Sequence, residues 1–221
     1  MLGALRKLFS SPADPGIEAE RVYLRAPQVD DFAAWSEIRG RSRAFLTPWE
    51  PTWPRGDLTA LAFRQRVRRG RAERRADRGY PFFLFLKDDD LLIGGLTLSN
   101  VRRGVTQTAT LGYWIGEPHA RQGHMTEAVP ALLAYAFATL RLHRIEAACL
   151  PVNDASKGLL EKCSFRYEGY ARKYLRIDGR WQDHLLYARL VDDPDGPEPE
   201  APGIETPETV ICAAGDGKRP L

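Results

Sequence analysis

The segment RQGHMTEA, residues 121–128, places basic and polar side chains around one glycine where an apolar helix is predicted to begin. The first backbone N–H groups of a helix have no acceptor within the helix, and the helix start carries a partial positive charge. Gly123 permits unusual backbone angles and the close approach of a ligand, and Arg121 adds positive charge. The segment therefore indicates an anion site suited to a pyrophosphate. A glycine before a helix is also ordinary turn chemistry, so the octapeptide alone leaves both interpretations open.

Four other side chains near predicted element ends could take part in acid–base chemistry or in ligand binding. Glu117 and His119 follow the strand-like run LGYWIG, and a histidine titrates near neutral pH. Asn153 and Ser156 lie where a predicted strand passes into a predicted helix. Asn153 and Ser156 can equally be helix-capping or surface residues. Glu117 and His119 can equally be surface residues.

The elements that would position these residues follow from hydrophobic periodicity. The pattern predicts the order β-α-α-β-β-β-α-β-α-β-β, a mixed α/β domain without internal repeats over about residues 17–191. The central helix, from about 124 to 142, carries one apolar stripe, although Pro130 would remove a hydrogen bond inside it. The Asp178–Gly179 pair predicts the tight turn of a C-terminal hairpin. The proline-broken segment 43–54 is expected to be a structured loop.

Charge is distributed unevenly along the 221 residues, although the net charge is only +3. Residues 192–221 hold eight acidic and two basic side chains, a net charge of −6, so the rest of the chain carries +9. The same segment holds six of the 16 prolines and no aromatic residue. We therefore expect a disordered acidic tail over 192–221 and a poorly ordered leader over 1–16. The basic folded body between them suits phosphorylated or acidic partners.

Composition excludes several classes of protein. No run approaches the ~18 apolar residues of a membrane-spanning helix, so no membrane partner is expected. The three cysteines and four histidines show no metal-ligand spacing, so no metal is expected. Scattered cysteines in odd number are typical of free thiols in a reducing cytoplasm, which predicts a cytoplasmic protein.

An arginine-rich segment, RQRVRRGRAERRADR (64–78), holds eight arginines on the continuation of the second predicted helix. Such a strip could contact the ribosome or RNA. It could equally be the solvated face of a helix, which is the commoner role of a charged run. The sequence leaves both interpretations open.

Taken together, the motifs resemble one known superfamily. LGYWIGEPHARQGHMTEA, followed by HRIEAACLPVNDASKGLLEKCSFRYEG, is similar to the acetyl-CoA core of the GNAT (Gcn5-related) N-acetyltransferases. FLTPWEP, LSNVRRG and EGYARKYLRIDGRWQDH narrow the resemblance to the ribosomal-protein-alanine N-acetyltransferases of the RimJ/RimL type, over about residues 21–190. The resemblance implies a GNAT fold, a single domain with a central, mostly antiparallel, twisted sheet flanked by helices. It also implies acetyl-CoA as cosubstrate.

The resemblance implies three kinds of contact with acetyl-CoA. The superfamily's pyrophosphate loop follows a Q/R-x-x-G-x-G/A pattern, and Ala120 and Met125 stand here at its first and last positions. Pantetheine would lie beside one strand as an added strand, which a sheet edge with unpaired N–H and C=O groups permits. Asn153 would hold the pantetheine amide. The implied cofactor-binding residues are Tyr113, Trp114, Ile115, Arg121, Gln122, Gly123, His124, Met125, Thr126, Asn153 and Ser156.

The resemblance also bears on the catalytic groups. Many members place a tyrosine acid seven residues after the asparagine, but that position is Leu160 here, and Ser156 is the expected partner of the departing thiol. The glutamate base of some relatives would fall at Leu175, which cannot serve. Glu117, His119 or a water relay therefore remain open as the general base.

The acceptor pocket is expected around the PWEP loop, where Glu50 would meet the acceptor amine and Phe45 and Trp49 would wall the pocket. Core packing is the ordinary role of such aromatic residues. The expected reaction moves acetyl to an α-amine, most simply the N-terminal alanine of a ribosomal protein. A terminal α-amine has a pKa near ~8, against ~10.4 for lysine, so it needs only modest help from a base. Direct attack in a ternary complex is expected, because no cysteine or Ser-His-acid arrangement indicates a covalent intermediate.

Two other functions remain open at this point. The same fold could acetylate a small amine such as an antibiotic or polyamine, although a strongly cationic acceptor would want an acidic pocket and this body is basic. The chain could also bind acyl-CoA without turnover, as a ribosome-assembly or regulatory protein whose arginine-rich segment contacts RNA. The missing tyrosine and the undetermined base leave room for that interpretation.

Overall fold

A sheet of eight strands, in the order β1-β2-β3-β4-β5-β6-β8-β7, forms the centre of the structure, a computed structural model that describes residues 16–196. All neighbouring strands run antiparallel except β5 and β6, which are parallel. The strands are β1 (Ile17–Glu18), β2 (Val22–Arg25), β3 (Tyr80–Leu86), β4 (Leu92–Arg102), β5 (Thr108–Ile115), β6 (Arg144–Cys149), β7 (Arg166–Ile177) and β8 (Arg180–Leu190).

Within residues 16–196, five α-helices flank the sheet, and short 3-10 turns lie at Val29–Asp31, Thr47–Trp49 and Glu117–His119. The helices are α1 (Phe32–Arg41), α2 (Arg43–Leu46), α3 (Ala60–Arg75), α4 (His124–Ala138) and α5 (Asp154–Lys162). None of the helices within residues 16–196 is both long and apolar enough to cross a membrane. The same part of the chain holds no group of three or more His, Cys, Asp or Glu side chains placed to bind a metal.

Strand alternation divides the interior into two cores, one on each face of the sheet. In β3, Phe82 and Leu84 pack with the apolar stripe of α4, whereas Phe83 and Phe85 pack with α1 and α3 around Trp35. A strand buried on both faces reads as a continuous apolar run, which is what YPFFLFL shows. The middle of the sheet is therefore buried by helices on both of its faces.

The two parallel strands diverge, and this divergence shapes the site. β5 pairs with β6 only through Thr108, Ala109 and Thr110, although β5 continues to Ile115 and β6 to Cys149. Among the described residues, no strand pairs with residues 111–115 on the side that faces β6. The sheet thus contains a wedge whose β5 side offers unpaired backbone N–H and C=O groups.

The mixed α/β fold and its mostly antiparallel sheet confirm the fold class expected from the sequence. The central helix ends at Ala138 rather than near 142, because the N–H of Leu140 bonds to the Tyr135 carbonyl and that of Leu142 to the Ala136 carbonyl, five and six residues back instead of the four of an α-helix. Segment 43–54, expected as a loop, begins with α2 and a 3-10 turn. Most of the predicted leader (1–16) and tail (192–221) lies outside the described residues.

Candidate active site

The loop before α4 has the backbone geometry of an anion nest. Arg121 and Gly123 both have positive φ, 62° and 84°, and α4 begins immediately after the glycine. The backbone N–H groups of residues 121–126 donate to no acceptor within the described part of the chain, and the first to do so is that of Glu127, to the Gly123 carbonyl. Unpartnered backbone donors at a helix start are suited to a phosphate-bearing ligand.

Arg21, which sequence reasoning missed, fixes the orientation of this loop. Its Nη2 donates to the Gln122 carbonyl at 3.2 Å, and its Nε donates to Glu127 Oε1 at 2.5 Å. Its backbone N–H also donates to Glu127 Oε2, at 3.0 Å. Because a trans peptide holds C=O and N–H on opposite sides, a Gln122 carbonyl turned toward Arg21 directs the Gly123 N–H away from it. The pair is separated by 106 residues, so no local signal could reveal it.

The side chains of His124 and Met125 face inward rather than toward the nest. Both are buried, and the His124 Nε2 lies 3.2 Å from Gln122 Oε1. Burial lowers the pKa of His124, and the neighbouring Arg21 acts in the same direction. Met125 packs against Gly94 in the α4 core. At positions 124 and 125 the loop therefore offers a ligand its backbone N–H groups and not its side chains. The methionine at the last position of the pyrophosphate-loop pattern is a core residue.

Two hydroxyl groups meet beside the wedge. Tyr113 Oη and Ser156 Oγ lie 2.5 Å apart, with Tyr113 on the diverging part of β5 and Ser156 in the first turn of α5. Burial raises the pKa of the Tyr113 phenol far above its ordinary value, although the Ser156 contact opposes this, so the phenol keeps its proton at neutral pH. Burial likewise raises the pKa of the Cys149 thiol at the end of β6. The site therefore holds neutral hydroxyl and thiol groups.

Asn153 positions Ser156. Its Oδ1 accepts the Ser156 backbone N–H at 3.0 Å, which makes it the side-chain cap of α5. The capping role left open by the sequence is thus observed. The cap occupies the amide oxygen, and no described residue accepts from the amide nitrogen, which leaves two N–H donors for a ligand.

The three consecutive residues expected beside pantetheine point in alternate directions. Tyr113 and Ile115 pack toward the α4 core, and Trp114 packs toward α1 and α3, with the Arg39 guanidinium 4.9 Å from its ring centre. All three belong to the unpaired edge of β5. These three residues therefore contribute backbone N–H and C=O groups to the wedge.

A groove of about 2790 Å³ opens on the α1/α3 side of the sheet and reaches Tyr113 and Trp114. Glu50 lines it, but the carboxylate is held by three donors: Nη1 and Nη2 of Arg39 at 2.6 and 2.7 Å, and Nε1 of Trp53 at 2.7 Å. Arg39 is only 6% exposed and stacks over Trp53. The Glu50 carboxylate is therefore largely satisfied and shapes the groove wall.

The other two residues expected in the acceptor pocket lie elsewhere. Phe45 is half-buried and Trp49 is 37% exposed, and neither lines the groove. Trp53, four residues beyond Trp49 in the same proline-rich loop, lines it instead. The tip of the β7–β8 hairpin contacts the same loop, where the Asp178 N–H donates to the Glu50 carbonyl at 2.9 Å. The PWEP loop thus contributes Glu50 and Trp53 to the groove, whereas the tryptophan named from the sequence, Trp49, does not line it.

Glu117 and His119 lie in the 3-10 turn that follows β5. Glu117 is exposed, and its backbone N–H donates to Ser42 Oγ at 2.9 Å. Burial lowers the pKa of His119, although the Asp89 charge opposes this. Neither lines the groove, nor does either bond to Tyr113 or Ser156. The structure thus brings Asn153, Ser156 and Tyr113 together, and it leaves the two candidate bases outside that group.

Comparison with known proteins gives a consistent result. The family model described as an acetyltransferase (GNAT) domain matches residues 21–166. A Bacillus subtilis protein named Probable N-acetyltransferase YjcK is 36% identical over 177 residues, 80% of this chain and 98% of that protein. The ribosomal protein uS5-alanine N-acetyltransferase of Escherichia coli is 36% identical over 167 residues, 75% of this chain and 86% of that enzyme. The structure of Mycobacterium smegmatis RimJ in complex with CoA-disulfide matches with a TM-score of 0.76 at 34% identity, covering 81% of this chain and 87% of that one.

Proposed function

The chain belongs to the GNAT acetyltransferase family, and from that premise we propose that its acceptor is the N-terminal α-amine of a ribosomal protein, with alanine at its first position. The reaction class is acetyl transfer from acetyl-CoA to nitrogen, of the RimJ type. The observation that carries the proposal is a combination of three features: the unpaired edge of β5, the Tyr113 and Ser156 hydroxyl groups beside it, and the groove on the α1/α3 side of the sheet.

Acetyl-CoA fits the features on the two sides of the wedge. The N–H groups of residues 121–126 would hold the pyrophosphate, since they have no other acceptor among the described residues. Backbone groups of residues 113–115 would pair with pantetheine, and the free amide N–H groups of Asn153 would bind its carbonyl. Bound in this way, the thioester supplies an electrophilic carbonyl and a thiol leaving group.

Ser156 and Tyr113 would serve the leaving group. The acceptor nitrogen attacks the thioester carbonyl, the C–S bond breaks as the tetrahedral intermediate collapses, and the departing sulfur needs a proton or a hydrogen bond. The Ser156 hydroxyl donates to that sulfur, while the protonated Tyr113 phenol donates to Ser156 Oγ. Water in the groove takes the proton lost by the amine. Glu117 and His119 would act only through such water, because neither lines the groove.

The groove also favours a peptide over a cationic small amine. Its α3 wall includes Arg69, Arg71 and Arg75, none of which pairs with a carboxylate of the described residues. Such a wall repels a polyamine, whereas a peptide presents one terminal amine and can bring acidic side chains to the arginines. The acceptor end of the groove is lined by Trp53, Trp114 and the Arg39–Glu50 pair.

A panel of acceptors tests the proposal. The protein is mixed with acetyl-CoA and one of three acceptors: a peptide that begins with alanine, the same peptide with a blocked N-terminus and an internal lysine, or spermidine. A reaction with buffer alone serves as the blank. Released thiol gives the rate, and mass spectrometry locates the acetyl group. We expect turnover only with the free alanine N-terminus. Turnover only with spermidine, or on the lysine of the blocked peptide, would contradict the proposed acceptor, and CoA binding without any thiol release would contradict catalysis.

A further inference from the structure

One face of α3 carries a regular row of exposed arginines. Arg64, Arg68, Arg71 and Arg75, together the arginine stripe, occur at the spacing i, i+4, i+7, i+11, which places them on a single side of the helix. At about 1.5 Å per residue the stripe is about 16 Å long. The inner side of the same helix is fixed by the buried Phe63 and by Val67.

The stripe has no anionic partner within residues 16–196. Other arginines of this segment do have one, since Arg66 pairs with Asp57 and Arg78 with Glu73. No ion pair or side-chain hydrogen bond to a described residue involves a stripe arginine. Like charges three and four residues apart repel and weaken a helix, so the fold gains nothing from this row. The unneutralised charges therefore suit an anion from outside the described chain.

We propose that the arginine stripe binds the phosphodiester backbone of a nucleic acid. A single strand carries a phosphate about every 3.4 Å along its axis, so a 16 Å row of cations can meet several phosphates of one strand. Guanidinium groups match phosphate oxygens through two parallel hydrogen bonds. No aromatic residue lies among positions 64–75, so stacking on bases is not offered and the contact is independent of sequence.

The stripe borders the acceptor groove, because Arg71 and Arg75 also line that groove. A nucleic acid held on the stripe would therefore lie beside the acceptor. An acceptor protein that is itself bound to a nucleic acid could present its terminus there. This binding is independent of acetyl transfer, and it can succeed or fail whatever the acceptor proves to be.

Salt dependence supplies the expected magnitude. For a single strand, the slope of log K against log salt is about −0.7 for each phosphate neutralised, so four contacts give about −2.8. Replacing the four arginines should remove that part of the slope. At about 0.1 M salt it should weaken binding on the order of several hundred-fold.

The experiment measures fluorescence anisotropy with a labelled strand of roughly 15 nucleotides, as RNA and as DNA of the same sequence, at salt concentrations from about 50 to 200 mM. The test variant is R64Q/R68Q/R71Q/R75Q of the full chain. The control variant R141Q/K162Q/R172Q/K173Q removes the same net charge from exposed positions elsewhere. Thermal unfolding checks both folds. The pairs R64Q/R68Q and R71Q/R75Q, each expected to remove about half of the slope, replace the fourfold variant if it unfolds.

We expect the stripe variant to lose both affinity and slope while the control variant keeps most of each. Equal binding of RNA and DNA supports a backbone contact, and preference for RNA supports the same contact with added recognition of the ribose. Equal losses in the two variants would overturn the proposal, because net charge alone would then explain binding. Failure of the native protein to bind either strand would overturn it as well, as would stripe-dependent binding of a polyglutamate peptide in place of a nucleic acid.

Discussion

Replacement of Gly123 by alanine perturbs the nest at its centre. The glycine has a φ of 84° and an added Cβ would lie 3.1 Å from Arg21 Nη2, the group that also holds the Gln122 carbonyl. The substitution thus introduces both backbone strain and crowding at one position. We expect G123A to weaken CoA binding without unfolding the protein.

The magnitude follows from the cost of the left-handed conformation. An alanine held there is strained by about 1–2 kcal/mol relative to glycine. If the free loop relaxes to avoid this strain, CoA binding must restore it, and the affinity falls by about 5- to 30-fold. If the free loop instead keeps part of the strained conformation, that part of the strain lowers the thermal stability of the protein and leaves CoA affinity unchanged. Arg21 can move by a few tenths of an ångström, because its side chain is 51% exposed, so crowding adds little.

Titration calorimetry with CoA measures the affinity, and thermal unfolding measures the stability. The matched control is G104A, since Gly104 has a φ of 69° and an added Cβ there would meet nothing within 4 Å. The control should lose stability by a comparable amount and bind CoA normally. Unchanged CoA affinity in G123A, or an equal loss of affinity in G104A, would refute the role assigned to the nest.

Four further outcomes are expected. Ser156→Ala should lower kcat by roughly 10²-fold with little change in KM, and a loss confined to KM would assign Ser156 to binding. Cys149→Ala should keep its turnover, and acetylation of Cys149 in protein mixed with acetyl-CoA alone, detected by intact mass, would contradict direct transfer. Arg21→Gln should raise KM for acetyl-CoA by roughly 3- to 10-fold at constant kcat, because the Gln122 carbonyl loses its donor; a fall in kcat alone would argue against this positioning role. The pH profile of kcat/KM should rise through the pKa of the acceptor amine, near ~8, because only the neutral amine attacks. The profile should show no fall up to about pH 10, because burial raises the pKa of Tyr113 far above its ordinary value and the phenol therefore keeps the proton that it donates to Ser156.

Local patterns predicted the parts of the site that depend on local backbone geometry. Gly123 adopts the left-handed conformation that its place before a helix suggested, and the Asp178–Gly179 turn has the two positive φ values, 44° and 76°, typical of a tight hairpin. Asn153 caps the helix that it precedes, which brings Ser156 into the first turn. Helix α4 runs through Pro130, because packing of its apolar stripe outweighs one lost hydrogen bond.

Contacts between distant segments could not be predicted from one sequence. Arg39 reads as an exposed charge on a helix, yet it is buried against Trp53 and Trp114 and neutralises Glu50. Such a pairing depends on how a loop folds over a helix rather than on periodicity. The Arg21–Glu127 pair joins a strand to a helix in the same way. Glu50 was expected to meet an acceptor amine, but its carboxylate is paired with Arg39 instead.

Backbone amide resonances followed during addition of CoA test the central claim most directly. The account predicts that CoA shifts the amide signals of residues 121–126 and of 113–115 and slows their hydrogen exchange, because the first group holds the pyrophosphate and the second pairs with pantetheine. The amides of Gly104 and of α3 should not respond. CoA binding that leaves both predicted groups unchanged, or a folded protein that shows no response to CoA at all, would contradict the account.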